Sequence, residues 1–139
     1  MPVTPPTLAI RQSAFDDLVA HAREEAPHEC CGVLIGRGPC VERVARARNR
    51  ARSPARFLVD PRDQIAALKR ARAAGEVIVG YYHSHPTSLP EPSETDRREV
   101  PPGEYHVIVS LRAAESADVR AYALPSQGNF LPLALVRLP

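Results

Sequence analysis

The spacing of apolar residues changes from helical to strand-like within the first third of the chain. Between Ser13 and Pro27 apolar residues recur every three or four positions, which predicts an amphipathic helix that Pro27 ends. Ser13, with Asp16 three residues later, is predicted to cap the start of this helix. The apolar run Cys31 to Gly36 is too short for a helix and predicts a buried strand. Glu29 therefore lies where a helix passes into a strand.

Apolar and charged residues alternate from Val41 to Ala47, after the turn signal Gly38-Pro39, and predict a half-exposed strand in a hairpin. Six arginines and no acid lie between Arg43 and Arg56. This strip could dock an acidic partner, although charge on an edge strand also serves to discourage aggregation. A third alternative, nucleic-acid binding, ranks last because no stacking motif accompanies the arginines, so we expect no nucleic-acid partner.

Three further elements lead from this strip to a group of polar residues. Phe57 to Val59 predicts a short strand, and Asp60 followed by Pro61 predicts the start of a helix that ends at Gly75. Val77 to Tyr82 predicts a second buried strand, which leads directly into a sequence with two histidines.

The remaining pattern predicts a short helical segment from Ser93 and strands near Tyr105 to Leu111, Val119 to Leu124 and Phe130 to Leu138. Strands and helices mix without regular βαβ repeats, which favours an α+β fold with a mixed or antiparallel sheet. The length of 139 residues fits a single domain spanning residues 1–139.

Composition narrows the class of protein but not its chemistry. Apolar residues make up 44% and charged residues 24% of the chain, as in ordinary globular proteins. The net charge of +2 is too small to imply a polyanionic partner. No stretch has the ~20 apolar residues that span a bilayer, and Met1 to Pro6 lack the layout of a secretory signal. We therefore expect a cytoplasmic protein without a membrane partner.

The three cysteines, Cys30, Cys31 and Cys40, include an adjacent pair that suits neither a disulfide framework nor a Cys-x-x-Cys zinc site. We interpret them as reduced and mostly buried. A redox or nucleophilic role for Cys31 is the alternative, and it requires a nearby base such as His28.

His83 and His85 are two residues apart, so on a strand their imidazoles project from the same face and can converge on one ion. Pro86 ends the strand, and Asp96 lies close enough for a loop and one helical turn to return its carboxylate. Three nitrogen and oxygen ligands without a thiolate leave an open position on zinc, which is typical of catalytic sites. A carboxylate that is not a ligand could then activate the bound water.

Each half of this pattern also has a purely structural interpretation. A His-x-His pair in a strand is more often a surface or core pair than a metal site, and Ser93 to Asp96 forms a helix capping box on its own. Only the combination of the two favours a metal centre. Tyr82 could line a substrate groove or simply fill the core, and His106 is interpreted as an ordinary strand residue.

The run Tyr82-His83-Ser84-His85-Pro86, followed by Ser93 and Asp96, resembles the motif of the JAMM (MPN+) zinc metallopeptidases. The segment from Glu29 through Cys31-Gly32 to Gly36 is similar to the one in which prokaryotic members place a catalytic glutamate. The resemblance extends from about residue 8 to residue 124 and includes the helix before the histidine strand.

This resemblance implies a curved mixed β-sheet flanked by helices, of the cytidine-deaminase-like type. It implies one zinc ion per chain bound by His83, His85 and Asp96, with Glu29 as general base and proton donor and Ser93 stabilising the oxyanion. Compact members cut the bond after the C-terminal Gly-Gly of small ubiquitin-like or sulfur-carrier proteins, which are the implied partners. The alternative is an inactive scaffold of the same fold, against which the intact ligand set argues.

Overall fold

The computed structural model describes residues 6–113 and 115–139, and only the backbone of Glu104. Residues 1–5, most of the amino-terminal segment interpreted above, lie outside this range. The described residues form seven strands and three helices: β1 (Thr7–Arg11), α1 (Gln12–Glu25), β2 (Cys31–Arg37), β3 (Cys40–Ala47), α2 (Pro61–Ala73), β4 (Val77–His85), α3 (Glu94–Glu99), β5 (Gly103–Ser110), β6 (Asp118–Leu124) and β7 (Leu131–Leu138).

The strands form one sheet in the order β1-β3-β2-β4-β5-β6-β7, and β1 closes it by pairing with β7. The β1–β3, β1–β7 and β4–β5 pairs are parallel, and the other pairs are antiparallel. The mixed sheet with helices agrees with the predicted α+β class, but closure was not predicted. The likeness to cytidine-deaminase-like folds stays a prediction.

The helices pack on different parts of this sheet because each has one apolar face. Leu18 and Ala22 of α1 join the main buried cluster with Leu8, Leu34 and Val79. On α2, the small residues Ala67 and Ala71 pack against Val33 and Ile35 of β2. These contacts place α1 and α2 against β2 and β4, the two strands that lead to the polar residues singled out above. None of the helices in the described part of the chain is long and apolar enough to cross a bilayer.

Most predicted elements are present, and two local predictions were wrong. The first helix begins at Gln12 with Arg11 at the N-cap position and no side-chain cap, so Ser13 does not cap it. The reason is that β1 runs directly into α1, which makes the end of the strand the start of the helix. Phe57 to Val59 is not a strand, since Val59 forms only an isolated bridge with Asn49.

Strand β1 was not predicted at all, because five residues with only Leu8 and Ile10 buried carry a weak alternating signal. The second helix does begin with Pro61 after the cap residue Asp60, whose carboxylate accepts a hydrogen bond from the backbone N–H of Arg62 at 2.9 Å.

Gly80 allows β4 and β5 to approach closely, because a Cβ atom there would clash with the backbone carbonyl of Tyr105, its pairing partner. We predict that Gly80→Ala lowers the free energy of unfolding by roughly 2 kcal/mol or more, since backbone must move to relieve the clash. Chemical denaturation measures this. Gly103→Ala is the matched control, because a Cβ there meets no atom within 4 Å. Equal losses in both variants would contradict the close-approach argument.

Candidate metal centre

His83 and His85 are the last two alternate residues of β4, and both are buried. The two-residue period of a strand puts both imidazoles on one face. Pro86 directly follows the strand, as predicted, and the chain leaves the sheet there.

Asp96 reaches the two histidines from the first turn of α3. Ser93 caps this helix: its hydroxyl accepts from the N–H of Asp96 at 3.0 Å, and its own N–H donates to Asp96 Oδ2 at 3.0 Å. This is the capping box that the sequence also predicted. The capping box and the polar cluster therefore coexist, because the same carboxylate that closes the box faces the histidines.

Three donor atoms converge at this point. Asp96 Oδ2 lies 3.1 Å from His83 Nε2 and 3.0 Å from His85 Nε2, and the two Nε2 atoms are 3.1 Å apart. In a tetrahedral zinc site with ligands at 2.0–2.1 Å, neighbouring ligand atoms are separated by about 3.3 Å. The spacing of the three donors thus fits a small cation.

The Nδ1 atoms of both imidazoles, which point away from the cluster, have hydrogen-bond partners. These partners leave the lone pairs of the Nε2 atoms facing one another. His85 Nδ1 donates to the carbonyl of Leu89 at 2.7 Å, because a carbonyl can only accept. His83 Nδ1 lies 2.7 Å from His106 Nε2. Burial lowers the pKa of His106 well below its ordinary value, so that its neutral ring can accept from His83.

In this tautomeric arrangement two nitrogen lone pairs and one carboxylate oxygen face each other in a buried space. Such an arrangement is repulsive unless a proton or a metal ion lies between them. Burial alone would raise the pKa of Asp96, but an imidazole of His83 or His85 that carries a proton at Nε2 in place of a metal ion donates it to this carboxylate, and that interaction holds the pKa of Asp96 well below its ordinary value. The group therefore has the charge and the ligand atoms of a zinc site with three protein ligands, and the outer nitrogens of both imidazoles have the hydrogen-bond partners that orient such ligands.

Phe57 covers this cluster from the side. Its ring stacks on that of His83 with centroids 4.4 Å apart and planes 19° apart. The same ring lines an apolar cavity that Leu58, Tyr81 and Val100 also border, and Asp96 forms part of its wall. We call this cavity the apolar groove.

Glu29 lies near His85. Cys31 pairs with His83 in the antiparallel β2–β4 ladder, and Glu29, two residues before Cys31, is close enough to His85 and Asp96 for their charges to affect its pKa. Ser84 extends the ladder, since its hydroxyl accepts from the N–H of Cys30 at 2.7 Å and its N–H donates to the Cys30 carbonyl at 3.1 Å.

The carboxylate of Glu29 is buried, with 4% of the residue exposed, and its Oε1 has no hydrogen-bond partner among the described residues. Burial raises the pKa of Glu29 to about 8. Glu29 is thus a buried carboxyl group near a candidate metal ligand, and one of its oxygens has no hydrogen-bond partner among the described residues. Such a group has the properties of a residue that takes up and releases protons.

The backbone of Glu29 is held by the loop that follows β3. The Asn49 side chain donates to the carbonyl of Glu29 at 3.0 Å, and the N–H of Glu29 donates to the carbonyl of Ser53 at 2.9 Å. Asn49 also accepts from the N–H groups of Ala51 and Leu58. One fully bonded side chain therefore fixes both this loop and Glu29.

The structure brings His83, His85 and Asp96 together, bonds Ser93 to Asp96, and places Glu29 close enough to interact with the charges of His85 and Asp96. The roles of these five residues stay predictions.

Three residues that contact this site were missed. His106 is not an ordinary strand residue, Phe57 stacks on His83, and Asn49 holds Glu29. The only sequence feature that pointed to His106 was its position directly before the apolar run of Val107 to Val109. Its contact with His83 depends on the parallel pairing of β4 with β5, which the sequence does not show.

Tyr82, Cys30 and Cys31 are core residues, whereas Cys40 is half-buried. Tyr82 is fully buried, and its hydroxyl lies 2.8 Å from His21 Nδ1. Cys30 and Cys31 are buried free thiols, and burial raises the pKa of each to about 12. This is the environment of an unreactive thiol, which disfavours the nucleophilic alternative for Cys31.

Several curated proteins match most of the chain, and two of them illustrate the range. A CysO-cysteine peptidase from Mycobacterium tuberculosis is 35% identical over 120 residues, covering 84% of this chain and 82% of the relative. A desampylase from Haloferax volcanii is 37% identical over 116 residues, covering 78% of this chain and 84% of the relative.

Two solved structures share the fold. Protein DSY2949 from Desulfitobacterium hafniense superposes with a TM-score of 0.85 and 32% identity, covering 94% of this chain and 92% of that one. A JAB1/MPN domain protein from Archaeoglobus fulgidus, AF2198, superposes with a TM-score of 0.56 at 20% identity, covering 93% of this chain and 99% of that one, and supports the fold alone.

A family model described as prokaryotic homologs of the JAB domain matches residues 11–124, a span that contains all five site residues. The chain belongs to this family of prokaryotic JAB-domain homologs.

Proposed function

We propose that this protein is a zinc-dependent peptidase or isopeptidase that cleaves the bond after the C-terminal Gly-Gly of a small ubiquitin-like or sulfur-carrier protein. The single observation that supports it most is the buried convergence of His83, His85 and Asp96, with the buried Glu29 carboxyl group close enough to interact with His85 and Asp96. The names of the two curated relatives, a CysO-cysteine peptidase and a desampylase, agree with this activity.

One zinc ion is the proposed cofactor, bound by His83, His85 and Asp96. When bound, zinc polarises a carbonyl oxygen and lowers the pKa of a water molecule to about 7. Glu29 is the proposed general base and takes the proton of the attacking water. The same carboxyl group then donates that proton to the amine that leaves. Burial suits both steps, because it makes the neutral and ionised forms of Glu29 accessible near neutral pH.

Ser93 is the proposed oxyanion-stabilising residue. Its oxygen already accepts the N–H of Asp96, so its own O–H remains available to donate toward the reacting carbonyl. The apolar groove beside Asp96 is the proposed path for a Gly-Gly tail, because residues without side chains fit a narrow passage next to a buried cluster.

We predict that Glu29→Gln lowers kcat at least about hundredfold while leaving zinc binding intact, since the amide keeps the shape but cannot accept a proton. Hydrolysis of a carrier protein extended beyond its Gly-Gly tail measures kcat, and elemental analysis measures zinc. Glu24→Gln, a substitution on the exposed face of α1, is the control. Turnover retained in the Glu29 variant would sink the assigned base.

A second prediction separates the ligands from the residue behind them. His85→Ala should lose the bound zinc, whereas His106→Leu should keep the three ligands but weaken zinc affinity by about 10–100-fold, because His83 loses its orienting partner. Competition with a chromophoric chelator measures the affinity. His21→Phe, at a buried histidine outside the cluster, should leave it unchanged. No zinc in the wild type after zinc is supplied would favour the inactive scaffold.

The raised pKa of Glu29 predicts that the free energy of unfolding of the zinc-free protein depends on pH. Its carboxyl titrates near 4.5 in the unfolded chain and near 8 in the folded one, so unfolding releases a proton between these values. The native state therefore loses stability as pH rises through this window. We expect zinc-free Glu29→Gln to exceed the wild type in unfolding free energy by about 1–3 kcal/mol at pH 9, with little difference near pH 4.5.

Urea denaturation at both pH values measures this difference, and the other titrating groups cancel because both proteins share them. Glu24→Gln again serves as the control. A gap between wild type and Glu29→Gln that does not grow with pH would show that the Glu29 carboxyl is not held in its neutral form.

A further inference from the structure

The arginine strip between Arg43 and Arg56 divides into paired and unpaired residues. Four of its arginines form ion pairs within the chain: Arg43 with Glu76, Arg46 with Asp17 and Glu24, Arg48 with Asp63, and Arg56 with Glu99. Most of the strip therefore ties the sheet to the helices. It does not form a continuous surface for an acidic partner.

Arg50 and Arg52 are different. Within residues 6–113 and 115–139, neither guanidinium has a hydrogen bond, an ion pair or a ring contact. Both arginines line a cavity that also has Glu29 and His28 in its wall. The two unpaired cations of the strip thus lie beside the proposed proton donor, on a cavity that is distinct from the apolar groove at Asp96.

The loop that carries them is rigidly attached to Glu29. Asn49 and Ser53, the residues on either side of Arg50 to Arg52, hold the carbonyl and the N–H of Glu29. Arg52 adopts a φ of 45°, and its N–H donates to the Asn49 carbonyl at 3.2 Å. A left-handed backbone at a non-glycine residue is uncommon and costly, and it persists where the surrounding structure holds it. The backbone that carries both arginines is therefore held at a fixed position relative to Glu29.

Two other acids line this cavity. Asp60 receives hydrogen bonds from the backbone and guanidinium of Arg62. Glu25 lies 3.9 Å from His21, but burial lowers the pKa of His21, so this imidazole is neutral near pH 7 and leaves the charge of Glu25 in place. Among the described residues, the two guanidinium groups of Arg50 and Arg52 therefore outnumber the single unpaired carboxylate of Glu25, and the cavity keeps a net positive charge.

We propose that Arg50 and Arg52 bind the α-carboxylate of an amino acid whose α-amine is the leaving group. This rests on the proposed function, in which Glu29 donates a proton to that amine. In an amino acid the carboxyl carbon lies only roughly 2.5 Å from the amine nitrogen, so a carboxylate next to Glu29 falls in this cavity. Arginine suits the task, because its planar fork binds carboxylates through two parallel hydrogen bonds.

The proposal specifies the substrate class. The carrier would be attached through its Gly-Gly tail to the α-amine of a terminal amino acid with a free carboxylate. An isopeptide bond to a lysine side chain places the nearest carboxyl group more than five bonds from the leaving nitrogen, out of reach of these arginines. The site would therefore favour release of a free amino acid over release of a protein lysine.

Three probes test this, each built on the same ubiquitin-fold protein that ends in Gly-Gly. The first carries alanine with a free carboxylate, the second carries alanine carboxamide, and the third carries Nα-acetyl-lysine amide joined through its ε-amine. For the zinc-loaded wild type we expect kcat/KM to be at least about tenfold higher for the carboxylate probe than for the other two.

Arg50→Gln and Arg52→Asn should each lower kcat/KM about tenfold or more for the carboxylate probe and less than about twofold for the other two. Asparagine is chosen at position 52 because it tolerates a positive φ. Arg72→Gln is the control, since it removes an exposed arginine in the last turn of α2.

Two outcomes would overturn the carboxylate site while leaving the proposed peptidase activity intact. One is an equal kcat/KM for the carboxylate and carboxamide probes in the wild type. The other is an equal loss of kcat/KM on all three probes in the arginine variants. Cleavage of none of the probes by the zinc-loaded wild type would overturn the proposed function and the carboxylate site with it.

Discussion

The antiparallel register between β2 and β4 is the constraint from which the site follows. Cys31 lies opposite His83, and the ladder continues through the two hydrogen bonds between Cys30 and Ser84. This register brings the residues before β2 toward the end of β4, and the Glu29 carboxyl group is close enough to interact with the charges of His85 and Asp96. A shift by one residue would turn every side chain to the other face and separate the carboxyl group from the histidines. Packing of both strands under α1 and α2 makes such a shift costly.

Near these two strands the fold buries polar groups that lower the stability of the folded state. Two imidazoles and a carboxylate converge within about 3 Å of each other in a buried space, and a second carboxyl group is buried without a hydrogen-bond partner for one of its oxygens. Each costs stability in the absence of a cation or a proton. The surrounding structure holds them in place through Leu89, His106, the α3 capping box and the side chain of Asn49. Stability is given up here for chemistry, as at other catalytic centres.

The loop after β3 connects the arginine strip with this centre. Its paired arginines fasten β3 and the loop to α1, α2 and α3, while Asn49 and Ser53 fasten the loop to Glu29. Arg50 and Arg52 lie between these attachments, and their guanidinium groups have no partner in the part of the chain that the structure describes. The same short segment thus positions the proposed base and supplies the proposed substrate-binding charges. A change in the backbone of this loop would therefore affect both Glu29 and the two arginines.

The sequence alone determined the local features of this protein. His83 and His85 share a face because a strand has a period of two, Pro86 ends that strand, and the cap residues Asp60 and Ser93 start their helices. Only the tertiary structure decided which strands became neighbours. It closed the sheet through β1 and β7, and it set His106 behind His83, Phe57 on its ring and Asn49 against Glu29. These contacts join residues that are far apart in the chain, and they depend on pairing partners and registers. Local periodicity carries information about which face a side chain occupies but none about which strand lies beside it.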